Sequence, residues 1–180
     1  MTTDAAIAQQ QWIYERAADG SARFALGTLG ENPLICFGIN PSTAVPGVPD
    51  PTIKRLTRFA VDNGYDSWMM LNVYPQISTD PRGLDLEHRA ELKFENERHI
   101  ASLLEGRRTA LLAAWGGLIE TRAYLRALLQ DIAQITSATG SGWLSLGEPT
   151  KHGHPRHPLY VKANVPLRPF DVDGYLRGLR

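Results

Sequence analysis

An apolar run, Leu34-Ile35-Cys36-Phe37, stops in Gly38-Ile39-Asn40-Pro41-Ser42-Thr43. Gly and Pro punctuate such a turn, and Asn, Ser and Thr bring short hydrogen-bonding side chains to it. Asn40 either bonds its own backbone or offers an amide that orients a water or a substrate group. An amide neither gives nor takes a proton at physiological pH. It can therefore hold a water without the roughly 10²–10⁴-fold help of a general base. A second amide, Asn72, interrupts Trp68-Met69-Met70-Leu71-Asn72-Val73 and precedes Tyr74-Pro75. A buried amide must be paired. Asn72 either holds a neighbouring loop or reads the edge of a heterocycle, since it carries donor and acceptor side by side. Trp115 before Gly116-Gly117 reads as a core indole followed by glycines that let a ligand or backbone come close. The last segment is Lys151-His152-Gly153-His154-Pro155-Arg156-His157-Pro158. Its histidines match no zinc spacing. His154 or His157 fits better as a group that stabilises charge or moves a proton near neutral pH. No metal and no cofactor is expected.

Bringing these four segments together requires ordered elements. Continuous apolar runs at 33–39, 67–73, 109–115 and 142–146 read as buried strands. Asp50 and Pro51 open a helix with Ile53, Leu56, Phe59 and Ala60 on one face, and Asn63-Gly64 closes it. Further helices are expected over 87–105 and 118–135, with a short one near 171–178. The alternation implies a three-layer α/β/α sandwich with a central, mainly parallel four-stranded sheet and right-handed crossovers. Asp19-Gly20-Ser21 between 12–18 and 22–28 adds an N-terminal hairpin, with helix as the rival for the first run. All four strand ends then share one edge, where open α/β sheets bind ligands. On this placement the catalytic candidates are Asn40, His154 and His157. The candidate substrate contacts are Gly38, Ser42, Thr43, Asn72, Tyr74, Trp115, Gly116, Lys151 and Arg156.

A chain of 180 residues suits one domain spanning 1–180, and 43% hydrophobic with 21% charged residues suits a soluble globular protein. No apolar run is long enough to span a membrane, and Met1 to Gln11 carries no secretory signal, so a cytoplasmic location is expected. The single Cys36 excludes an intramolecular disulfide and reads as an inert buried thiol. Net charge is zero, which argues against a strong non-specific grip on nucleic acid. From Lys151 onward, six Lys and Arg stand against two acidic residues, which makes either a local basic face or a solvated tail. Lys54, Arg55 and Arg58 read either as a solvated face, the safer reading, or as groups that meet a phosphate at the site rim, and His88 and His99 read as solvated on a charged helix.

Several motifs together resemble a bacterial family of unknown function, domain-of-unknown-function family 1643. They are Gly38-Ile39-Asn40-Pro41-Ser42-Thr43-Ala44, Asp50-Pro51-Thr52, Asn72-Val73-Tyr74, Asn96-Glu97-Arg98-His99, Ala114-Trp115-Gly116 and Gly153-His154-Pro155-Arg156-His157-Pro158-Leu159-Tyr160. The resemblance runs from about residue 13 to 169. More distantly, the same segments are similar to the uracil-DNA glycosylase superfamily. That resemblance implies that Asn40 handles the attacking water, that Asn72 of Leu71-Asn72 reads the base, and that Trp115-Gly116 ends a third strand. It also implies that His154-Pro155 or His157-Pro158 is the last motif. Asn40 replaces the Asp of the most active branch, Ser42 replaces its Tyr, and the last motif lacks the Ser-Pro-Leu that helps wedge DNA open.

The expected function is that of a nucleobase-recognising protein that hydrolyses an N-glycosidic bond with a water positioned by Asn40. If the substrate is DNA, the base must be flipped out. The alternative is binding or modification of a free nucleotide or other small anionic ligand without glycosylase activity. A nucleobase, a nucleotide or DNA is the expected partner; membranes are not, and the oligomeric state is left open.

Overall fold

Strands form where the chain is apolar on both faces. β3 (Pro33–Gly38), β4 (Ser67–Asn72), β5 (Ala110–Ala113) and β6 (Gly142–Leu146) are largely buried, as strands covered by helices on both sides are. The computed structural model describes residues 11–179 and joins these strands in parallel, in the order β4–β3–β5–β6. The sheet extends further. β1 (Trp12–Arg16) and β2 (Arg23–Thr28) form the N-terminal hairpin, and β2 runs antiparallel to β4. At the other side β7 (Leu167–Pro169) runs antiparallel to β6. The expected four-stranded, mainly parallel sheet is thus corrected to one mixed seven-stranded sheet, β1-β2-β4-β3-β5-β6-β7. β7 has no apolar alternation to announce it, and its Pro169 suits only an edge strand.

α1 (Pro51–Asp62) begins at an N-cap. Asp50 has extended backbone, its carboxylate accepts from Ile53 N at 2.8 Å, and Pro51 follows. α2 (Ala90–Leu104) starts three residues after the expected position. The helix expected over 118–135 is two elements, a 3₁₀ turn at Gly116–Glu120 and α3 (Tyr124–Ser137). The break has a local cause: both the N–H and the hydroxyl of Thr121 donate to Leu118 O, which tightens the chain to three residues per turn. α4 (Val172–Gly178) closes the chain.

Alternation in β3 divides the interior. Ile35 and Phe37 pack with Ile100 and Leu104 of α2 and Leu128 and Leu129 of α3. Leu34 and Cys36 pack with Ile53, Leu56 and Phe59 of α1. Helices therefore cover both faces. Burial pushes the Cys36 thiol far above its ordinary value, which removes it as a nucleophile. From β3 the chain crosses to β4 through α1 on one face, then to β5 through α2 on the other. The strand order reverses at β3 and β5, and open sheets form a ligand crevice at such a point.

Three polar side chains are less solvated than expected. His99 stacks on Phe24 with ring centroids 4.7 Å apart, and His88, ahead of α2, tilts against Tyr124 at 5.5 Å. Arg55 donates to Pro158 O at 3.3 Å and to Val161 O, tying α1 to the last loop. Most of the stretch read as lacking a secretory signal lies outside the described residues. Among the described residues no helix is long and apolar enough to cross a membrane.

Candidate functional site

A cavity of about 310 Å³ opens at the C-terminal edge of the sheet, on the face that carries α1. That volume is at the small end for ligand pockets, which span roughly 300–1,000 Å³. Its lining comes from the turn after β3, the N-terminus of α1, the segments after β4 and β5, and the loop before Leu159. Gly38, Asn40, Ser42, Thr43, Trp115 and His157 of the sequence candidates line it.

Asn40 is half-buried. Its Nδ2 donates to Pro41 O at 3.0 Å and to Ser78 O at 2.8 Å. Two carbonyls on one side fix which amide atom is nitrogen. No described residue donates to Oδ1, which leaves it as the acceptor for a water or ligand. The amide therefore does both things open to it: one end ties the turn and the other is free.

Asn72 ends β4, facing the same way as Met70. It is 1% exposed, and neither Nδ2 nor Oδ1 has a partner among the described residues. Buried amides orphaned at both atoms are rare and call for an explanation. Gly38 lies opposite Asn72 in the parallel register. A Cβ on Gly38 would sit 3.1 Å from Asn72 Oδ1 and 2.7 Å from Met70 Cε. Gly38 and Met70 line the cavity and Asn72 does not: the flexible end of Met70 lies beside Gly38, between the cavity and the amide. The loop-holding role read for Asn72 belongs to Asn96 on α2, whose Nδ2 donates to Asn72 O at 2.9 Å and Val73 O at 3.4 Å.

The two His-Pro pairs do different things. His157 lines the cavity, and its Nδ1 accepts from Leu159 N at 3.2 Å, capping the 3₁₀ turn Pro158–Tyr160. Nδ1 is then the acceptor, so Nε2 carries the proton in the neutral ring. Burial lowers the His157 pKa, against a smaller upward pull from Asp50. His154 points into the opposite core. It is 4% exposed, its Nδ1 is 2.9 Å from the Tyr175 hydroxyl, and its Nε2 is 3.3 Å from Glu120 Oε1. The same hydroxyl accepts from Trp115 Nε1 at 3.1 Å. Burial raises the Tyr175 pKa to about 12, so it stays protonated and can donate to His154.

Four more candidates fall outside the cavity. Tyr74 is fully buried in the α2 core, and its hydroxyl accepts from Arg89 N at 2.9 Å. Lys151 is exposed on a turn, and Arg156 donates to Glu148 O at 2.9 Å, away from α1. Gly116 has φ +58 and backs onto His157, where a Cβ would lie 3.8 Å from His157 Cβ. Among the described residues no three His, Cys, Asp or Glu are placed to hold a metal.

Sequence reasoning missed Arg23, and did not put Asp50 and Thr52 in the site; all three line the cavity. Arg23 is 3% exposed and makes no ion pair among the described residues; its Nη1 donates to Ala44 O at 2.8 Å, and its Nε is buried without an acceptor. Burial lowers its pKa, with Asp50 and Tyr14 opposing. Its direction follows from a β-bulge. Glu15 pairs with Ala25 and Arg16 with Arg23, so Phe24 is extra, and Phe24 and Ala25 both enter the α2 core. Such a bulge re-aims the next side chain, turning Arg23 toward the α1 face. Extending the Asp19-Gly20-Ser21 hairpin to the same sheet edge was the available signal. A larger hollow, about 510 Å³, lies between β6, β7 and α4. Two of its charged groups, Glu148 and Arg168, already pair with each other at 3.3 Å, so it offers less free chemistry than the smaller cavity.

Comparison with curated proteins and with solved structures returned no match. A family model described as "Protein of unknown function (DUF1643)" matches residues 23–159, a span that takes in every residue lining the cavity from Arg23 to Leu159. The chain belongs to that family.

Proposed function

We propose that the cavity takes a nucleobase, that Asn72 reads its edge, and that the protein hydrolyses the N-glycosidic bond to that base. The observation that carries this reading is Asn72: a 1%-exposed amide, unpartnered at both atoms among the described residues, behind Gly38 and Met70 of the cavity wall. A buried amide kept free costs stability, and a heterocycle with adjacent donor and acceptor would satisfy both atoms at once. Met70 must swing aside for the base to seat, and an unbranched thioether does so readily.

In this reading Asn40 Oδ1 accepts a hydrogen bond from the attacking water. The water oxygen bonds to the sugar C1′ while the C1′–N bond breaks, its electron pair leaving with the base. Nε2–H of His157 donates to the charge that builds on the base, as preorganised donors do elsewhere. Asn40 cannot take the proton that the water loses. Among the described residues Asp50 is the only carboxylate lining the cavity, and one of its oxygens is committed to Ile53 N. Its other oxygen is the acceptor for that proton. A second reading keeps the pocket without the excision, as a site for a free nucleotide or small anion; the buried, unpaired Arg23 favours it.

The test is incubation, at enzyme excess, with oligonucleotides carrying uracil, mismatched or damaged bases and with nucleosides, scoring abasic sites and free base. Release that falls roughly 10–100-fold in Asn72→Ala, the worth of a bidentate contact, and also falls in Asn40→Ala supports hydrolysis. No release from any substrate overturns it.

A further inference from the structure

We infer that Arg23 makes the inner cavity a seat for a terminal phosphate, so that the ligand is a nucleoside monophosphate. The base half of this inference rests on the reading of Asn72 above; the phosphate half stands on Arg23 alone. A guanidinium has five N–H donors. Among the described residues only Nη1 of Arg23 has an acceptor, the carbonyl of Ala44; Nε is buried without one there, and none accepts from Nη2. Charged residues this deeply buried are normally paired.

Asp50 shares the cavity but lies beyond ion-pair distance, and its carboxylate caps α1. It offsets the charge of Arg23 without engaging its donors, which suit an oxygen-rich acceptor. A phosphate matches a planar guanidinium fork. Neighbouring groups suit it. The hydroxyls of Ser42 and Thr43 line the same cavity. At the α1 N-terminus, Pro51 has no N–H, Asp50 takes Ile53 N and Lys54 N, and Thr52 N–H remains for a ligand. The depth of Arg23 selects the source of the phosphate. An internal phosphodiester is carried at the pocket mouth by its two strand neighbours, whereas a terminal phosphate can follow its nucleoside inward.

The test is calorimetric titration of the full chain with nucleoside 5′-monophosphates, the matching nucleosides, inorganic phosphate and a short single-stranded oligonucleotide without terminal phosphates. The expected result is at least tenfold tighter binding of one monophosphate than of its nucleoside, with inorganic phosphate competing. Arg23→Gln should lose that preference and keep the nucleoside affinity, and Arg23→Lys should retain part of it. Equal affinity for monophosphate and nucleoside overturns the inference. So does a preference that survives in Arg23→Gln, or binding of the oligonucleotide but no mononucleotide. Phosphate binding that depends on Arg23 without discrimination among nucleosides supports the seat and removes the nucleobase reading. The wild-type comparison decides the question even if Arg23→Gln does not fold.

Discussion

Two histidines three positions apart, each followed by proline, are set to opposite tasks by what surrounds them. His157 lines the cavity, while His154 is absorbed into a Trp115–Tyr175–His154 chain in the other core. The Tyr175 hydroxyl accepts from one ring and faces the other, so Tyr175→Phe orphans the fully buried Trp115 Nε1. The expected cost is about 1–3 kcal/mol, read as a lower urea midpoint, with ligand binding little changed because, of the three residues, only Trp115 lines the cavity and the substitution leaves its ring in place. A loss of binding equal to that of a cavity variant would contradict the separation. Gly38 gives the converse case. A Cβ there meets only Asn72 Oδ1 and the mobile end of Met70, at 3.1 and 2.7 Å. Gly38→Ala should therefore fold with a small stability cost and bind its ligand at least tenfold more weakly, with titration and thermal melting measured side by side. Unimpaired binding would mean that the ligand does not reach Asn72.

At the scale of elements, the parallel strands were readable because burial on both faces writes continuous apolar runs, and α1 because Asp50-Pro51 is a cap with a mechanism. The edge strands were less readable. β7 is three residues bounded by proline, and β2 contains an unannounced bulge at Phe24. That bulge decides where Arg23 points, so the missed detail of the fold and the missed residue of the site are one omission. Asn72 was legible as an oddity, but nothing local said that Asn96, 24 residues on, would take over its loop-holding role. The β2–β4 junction also depends on a residue whose meaning is tertiary. A Cβ on Gly27 would lie 2.5 Å from Trp68 O and 2.9 Å from Met69 Cα, both backbone atoms that cannot turn away. Gly27→Ala should cost roughly 1–3 kcal/mol, and by prising β2 from β4 it should also loosen the hairpin. Hydrogen exchange checks this: faster exchange in residues 12–28 than in β5 and β6 is the expected pattern, and uniform protection would refute it.

For the whole molecule, the pH response of folding is expected from the groups whose pKa values the fold shifts. Burial holds His157 and His99 below the ordinary histidine value of 6.5; Asp50 opposes it at the first, while at the second Arg98 reinforces it and Glu15 and Glu95 oppose. A depressed histidine pKa means that the unfolded chain binds more protons than the folded one below pH 6.5, so stability rises with pH in that window. The contribution is complete above 6.5 and is lost as pH falls through the folded values. Carboxylates act separately and lower down. Asp66, lowered first by the Ser67 hydroxyl and then by the Asn32 and Glu31 amides, loses its contribution only as pH falls below 3.8. Two acid limbs are thus expected in urea midpoints measured from about pH 3 to pH 8. His157→Asn keeps an acceptor for Leu159 N but cannot titrate, and His99→Gln removes the second group. Together they should flatten the upper limb and leave the lower one in place. An upper limb that persists in the double variant would show that some group other than these two carries the protons, and an upper limb of the opposite sign would show that folding raises their pKa values.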